Sequence, residues 1–89
     1  MNSIIDEYQL YRTKFFKMRP YQCYSYHRDQ TKRLHIPIIT NDKCFLVVDD
    51  EVVRTPIEGN SYVIDTTKIH TAVNASFEER IHLIGCLPT

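Results

Sequence analysis

Charge of one sign is missing from this chain: eleven acidic side chains offset eleven basic ones, for a formal net charge of zero. No basic stripe is available to follow a phosphate backbone, which removes the electrostatic footprint of a nucleic-acid-binding protein. Long hydrophobic runs are missing too. The longest, CFLVV at 44–48, falls far short of the roughly 20 apolar residues that span a bilayer as a helix. The opening stretch MNSIIDEYQLYRTK lacks the apolar core of a secretory signal. Cysteine is scarce and odd in number: Cys23, Cys44 and Cys86 are far apart and form no CxxC pair. That spacing fits neither a disulfide framework nor a zinc ribbon. The expectation is a soluble cytoplasmic protein with no nucleic-acid or membrane partner. Internal repeats, low-complexity stretches and linkers are also absent. The 89 residues make one small domain, which buries only about 60–65% of its unfolded surface.

Against these absences stands His27-Arg28-Asp29, followed by His70 and then Arg80. Two imidazoles and one carboxylate form the ligand set of a mononuclear non-haem iron(II) site, with coordination positions left open. Residues i and i+2 of an extended segment point the same way, so one strand can offer both His27 and Asp29. His70 must come from a distant strand, as a closed β-barrel allows. Arg80 adds a fixed, planar cation suited to a carboxylate.

The first dozen residues, 1–12, read as a short N-terminal helix, with Ser3 as cap and an apolar stripe of Ile4, Ile5, Tyr8 and Tyr11. From residue 13 to 89 the pattern changes to β-rich runs at 14–19, 21–27, 33–40, 44–49, 52–55, 61–65, 71–74 and 80–87. Turn residues separate them, among them Asn41-Asp42, Asp49-Asp50 and Glu58-Gly59-Asn60. Eight short strands at near-regular spacing predict an all-β barrel or jelly roll.

Alternation along these strands assigns their faces. Arg33 and His35 share one face of their strand, while Leu34, Ile36 and Ile38 share the other; Arg80 and His82 oppose Ile81 and Leu83 in the same way. His27 falls on the face of Cys23 and Ser25, with Tyr24 and Tyr26 opposite. If the polar residues point inward, the outward face is strongly aliphatic, the reverse of an ordinary half-buried strand. Such a face needs a cover, and the expectation is a homodimer or higher homo-oligomer.

The segments RLHIPIITN (33–41), EGNSYVIDTTKIHTAVN (58–74) and ERIHLIGCL (79–87), together with the HxD box at 27–29, resemble the aspartyl/asparaginyl β-hydroxylase family. That family belongs to the cupin-like, iron(II)- and 2-oxoglutarate-dependent oxygenases. The resemblance runs from about residue 21 to 87 and implies a double-stranded β-helix, here as a near-minimal core. It implies His27, Asp29 and His70 as the catalytic iron ligands and Arg80 as the partner of the distal carboxylate of 2-oxoglutarate. It also implies that His35 contacts the other carboxylate end of the co-substrate and that Arg33 helps hold co-substrate or substrate. The implied reaction consumes dioxygen and hydroxylates an unactivated C–H bond of an amino acid or peptidyl residue. With Asp29 present, the chain resembles the full-triad subset, and the resemblance implies hydroxylation rather than the halogenation of relatives that lose the carboxylate.

Each of these residues has a plainer reading. His27 and Asp29 could be a solvated turn pair, His70 a surface histidine, and Arg80 a rim arginine paired with Glu78 or Glu79. His35 and His82 could be core histidines, and Asn74 reads better as a turn-former than as a pocket residue. Tyr24, Tyr26, Phe45 and Tyr62 read as packing groups, and Asp49-Asp50-Glu51 as a solvated hairpin tip without calcium-loop spacing. At the level of function, the alternative is a non-catalytic cupin-type protein that binds a metal or small molecule. A zinc hydrolase is a weaker third reading, because no general base stands beside the triad.

Overall fold

The computed structural model describes residues 11–88 and builds them from eight strands: β1 (Tyr11–Met18), β2 (Gln22–Cys23), β3 (Arg33–Ile39), β4 (Cys44–Val48), β5 (Glu51–Val53), β6 (Tyr62–Ile64), β7 (His70–Asn74) and β8 (Arg80–Cys86). They form two four-stranded sheets, ordered β1-β8-β3-β6 and β2-β7-β4-β5, with every pairing antiparallel. This is the all-β, jelly-roll arrangement of a cupin-like fold, with a strand near each expected run. The helix expected over 1–12 lies outside the described residues except at Tyr11 and Arg12, which already belong to β1. Among the described residues no helix is long and apolar enough to cross a membrane.

Turn chemistry explains the tightest connection. Val48 pairs with Glu51, leaving Asp49-Asp50 as a two-residue loop whose φ angles are 51° and 66°. Positive φ at both central residues is the type I′ hairpin turn, whose twist matches the flanking strands. The acidic trio therefore forms the hairpin tip expected of it. Pro37 sits within β3 without harm because the β6 pairing ends at His35. No ladder bond asks for its missing N–H.

Between the sheets, Met18, Leu46, Val48, Ile64 and Ala72 form one apolar cluster, with Val53 and Tyr62 against it. A second cluster, Leu34, Ile36 and Leu83 with Ile38 and Leu87, occupies the other face of the first sheet. Cross-strand partners Leu34↔Gly85 and Ile36↔Leu83 put these residues opposite in direction to Arg33 and His35. The aliphatic outer face predicted from alternation therefore exists. Its centre, however, is already buried in the single chain (Leu34 0%, Ile36 3% exposed), so it creates no demand for a partner there. Among the described residues its margins stay open, at Phe15 on edge strand β1 (63%), Val63 on edge strand β6 (52%) and Ile39 at the end of β3 (43%).

Candidate metal centre

His70 opens β7, and the chain lays His27 beside it. The two residues exchange both backbone hydrogen bonds, each 3.0 Å, as an isolated antiparallel bridge. Their rings lie 4.3 Å apart between centroids. Asp29 comes back onto the same spot because its own N–H is held by the carbonyl of Thr66 at 2.9 Å. Its carboxylate then lies 3.8 Å from Nε2 of His27 and 3.5 Å from Nε2 of His70. One donor atom from each of the three residues fits within 4.8 Å of the others.

The orientation of both imidazoles is fixed by the backbone. Nδ1 of His27 lies 2.9 Å from the carbonyl of Ser25, and Nδ1 of His70 lies 2.9 Å from the carbonyl of Lys68. A carbonyl oxygen only accepts, so each Nδ1 carries a proton and Nε2 is the nitrogen left for a metal. Metal-binding histidines need such an outer acceptor to set tautomer and ring direction. Both nitrogens left free face the Asp29 carboxylate, so the donor set is chemically suited to a divalent cation.

The approach of His27 to His70 depends on an irregularity. Cys23 pairs with Val73 and Tyr24 N–H donates to Ala72 O at 3.1 Å, yet the next pair is His27 with His70. Three steps along one strand thus face two on the other, the signature of a bulge. The bulge corrects the alternation read from sequence: His27 shares its face with Tyr24, not with Cys23 and Ser25. Tyr24 and His27 both line the cavity, while Cys23 is exposed and points away. A bond from the Thr71 hydroxyl to the Tyr24 carbonyl pins the segment.

The triad stands in a cavity of about 330 Å³, whose wall also includes Arg33, His35 and Arg80. Such a volume is at the lower end of small-molecule sites, about 300–1,000 Å³. Arg33 bonds Thr31 through Nη1, at 3.1 Å to its carbonyl and 2.6 Å to its hydroxyl. Its Nη2 lies 3.5 Å from Asp29 Oδ1, so Arg33 steadies the triad carboxylate in addition to facing the cavity.

Arg80 is 2% exposed, and its Nε and Nη1 have no hydrogen-bond partner. The rim pairing with Glu78 or Glu79 does not form: Glu79 takes Lys17 instead, at 3.4 Å. Burial pulls the Arg80 pKa below its ordinary value, but a guanidinium keeps its charge at neutral pH. A buried, charged donor fork without an acceptor is costly unless something anionic reaches it.

His35 and His82 meet through their Nδ1 atoms at 3.1 Å, with rings edge to face. Burial pushes the His35 pKa down to about 3 and that of His82 to about 2, with the Arg80 charge the next cause in both. Both rings are therefore neutral. Asn74 is the turn-former expected of it. Its amide nitrogen donates to the carbonyls of Arg19 (3.1 Å) and Glu78 (2.7 Å). Its oxygen accepts from Ser76 N–H (3.1 Å), the Ser76 hydroxyl (2.7 Å) and the Cys44 thiol (3.3 Å).

Several wall residues escaped the sequence reading, Lys14 and Tyr24 among them. Lys14 was legible in principle, because it alternates with Phe16 and Met18 on β1 and pairs with Ile84 on the inner face of β8. Tyr24 was not, because the bulge reverses its face. A comparison with curated proteins returns no match. A sequence model described as aspartyl/asparaginyl beta-hydroxylase matches residues 2–86, nearly the whole chain, and by that match this protein belongs to the aspartyl/asparaginyl β-hydroxylase family.

Proposed function

We propose that the protein is an iron(II)- and 2-oxoglutarate-dependent hydroxylase of an amino acid or peptidyl residue. The observation that carries this reading is one cavity whose wall brings together three converging metal-donor groups and a buried guanidinium with Nε and Nη1 unpaired. A metal-binding barrel without a co-substrate would account for the first and leave the second unexplained.

His27, Asp29 and His70 would hold the metal, each imidazole through Nε2. Arg80 would receive the far carboxylate of 2-oxoglutarate, with Arg33 and His35 on the same wall. When bound together, the metal and co-substrate supply dioxygen activation coupled to oxidative decarboxylation, giving succinate, carbon dioxide and a hydroxylated C–H bond. The chain's own work is ligation, orientation and exclusion of water. The apolar cluster beneath the cavity limits water on one side, where Leu46 and Ala72 reach the wall. On the other side His27 is half exposed, which leaves an entrance for substrate.

The test is succinate release from 2-oxoglutarate in air with iron(II), screened across free amino acids and short peptides containing aspartate or asparagine. At least one substrate should stimulate release, and His70→Ala should abolish the stimulation. Binding of iron(II) and 2-oxoglutarate without release for any substrate would favour the non-catalytic binding reading instead.

A further inference from the structure

We propose that His82 is a positioning residue: its Nδ1–H donates to Nδ1 of His35 and holds His35 in the tautomer that presents Nε2–H to a carboxylate in the cavity. This rests on the reading of the cavity as a 2-oxoglutarate site, although the tautomer itself does not.

The argument starts from proton counting. Two Nδ1 atoms 3.1 Å apart form a hydrogen bond only if one carries a proton and the other does not. Both rings are neutral at physiological pH, held so by burial and by the Arg80 charge. Two arrangements are therefore possible. If His35 donates, His82 must carry its proton on Nε2, and that N–H is buried with no partner. If His82 donates, its Nε2 is a bare lone pair, and no orphaned N–H is created.

The surroundings select the second arrangement. Arg80 and His82 are i and i+2 on β8, paired with Met18 and Phe16 of β1, so they share the inner face. Arg80 already leaves Nε and Nη1 unpaired. A further unpaired N–H beside that positive charge is unfavourable, whereas a lone pair is attracted to it. Buried donors without acceptors are also the rarer defect in folded proteins.

The consequence reaches the cavity through His35. With Nδ1 taken up by His82, the nitrogen left for the cavity wall is Nε2. In the selected tautomer it is a donor, as Arg33 and Arg80 on the same wall are. Three donor groups then face one space, which matches a dianionic co-substrate. In the other tautomer His35 would turn a lone pair toward the carboxylate and repel it.

Nitrogen-15 NMR of the histidine side chains in the full-length protein tests this without metal or co-substrate. The four histidines are assigned by single substitutions. The expected result at pH 7 is His82 protonated at Nδ1 and His35 protonated at Nε2. A proton on Nε2 of His82, or a cationic ring at either position, overturns the proposal. A binding arm uses 2-oxoglutarate as the probe. His82→Leu should raise its Kd about tenfold or more, as loss of a hydrogen bond to a charged group does, with iron(II) affinity unchanged. His82→Asn, whose amide nitrogen replaces Nδ1, should restore most of the affinity; no rescue, or no loss in His82→Leu, contradicts the role. Wild-type protein that binds no 2-oxoglutarate would end the oxygenase reading, while the tautomer result would still decide the assignment of His82.

Discussion

Arg80 is the side chain whose burial most needs a reason. It is 2% exposed, and neither Nε nor Nη1 has a partner. Isolated buried charges destabilise, and apolar replacements of similar size are often neutral or favourable. Arg80→Met should therefore leave the urea midpoint unchanged or raise it, while weakening 2-oxoglutarate binding at least tenfold. Equilibrium unfolding beside a binding titration checks both, and a large loss of stability with binding retained would make Arg80 structural. For the triad, Asp29→Ala should lower iron(II) affinity by removing the one carboxylate among the donors. A competition titration against a chelator measures this. The identities of these residues were legible in sequence, because their types and order suffice to name a ligand set. Their supports were not: the carbonyls of Ser25 and Lys68 carry no signal in residue type. The partnership of His35 with His82 depends on two strands meeting at a register that alternation alone does not set.

At the scale of elements, turn residues made the eight strands readable. Asp49-Asp50 between two apolar runs announces a hairpin, and its φ angles of 51° and 66° reveal the strain of that choice. Non-glycine residues in the left-handed region cost about 1–2 kcal/mol each. Asp50→Gly should therefore stabilise the protein by about 0.5–1 kcal/mol, since Asp-Gly is a favoured type I′ pair. A lower unfolding midpoint in that variant would contradict the turn assignment. Asn74 makes five side-chain hydrogen bonds, three to the β7–β8 connection at Ser76 and Glu78, one to Arg19 and one to Cys44 of β4. Asn74→Ala should cost about 2–4 kcal/mol, read as a lower urea midpoint. The bulge between Tyr24 and His27 is where sequence reasoning failed. Strict alternation assumes equal counts on both strands, and one extra residue reverses every face beyond it.

For the molecule as a whole, two neutral buried histidines couple stability to pH. An imidazole whose folded pKa lies far below its unfolded value of about 6.5 binds protons mainly in the unfolded chain. Stability from His35 and His82 is thus fully present above about pH 6.5. It is lost as pH falls toward the folded values of about 3 and about 2. Urea midpoints measured from pH 7 to pH 4 should fall; a flat profile would contradict buried neutral imidazoles. Association of two copies over Phe15 and Val63 is the proposal that the open margins of the outer face support. Sedimentation at micromolar concentration should show a dimer, and a lone monomer species would oppose it. The central claim is that one cavity holds both a metal and a dicarboxylate, and an anaerobic titration tests it most directly. Iron(II) and 2-oxoglutarate together should give a weak visible charge-transfer band at one equivalent of each, absent with either alone and lost in His70→Ala. No band with folded wild-type protein, or a band that survives His70→Ala unchanged, would contradict the account.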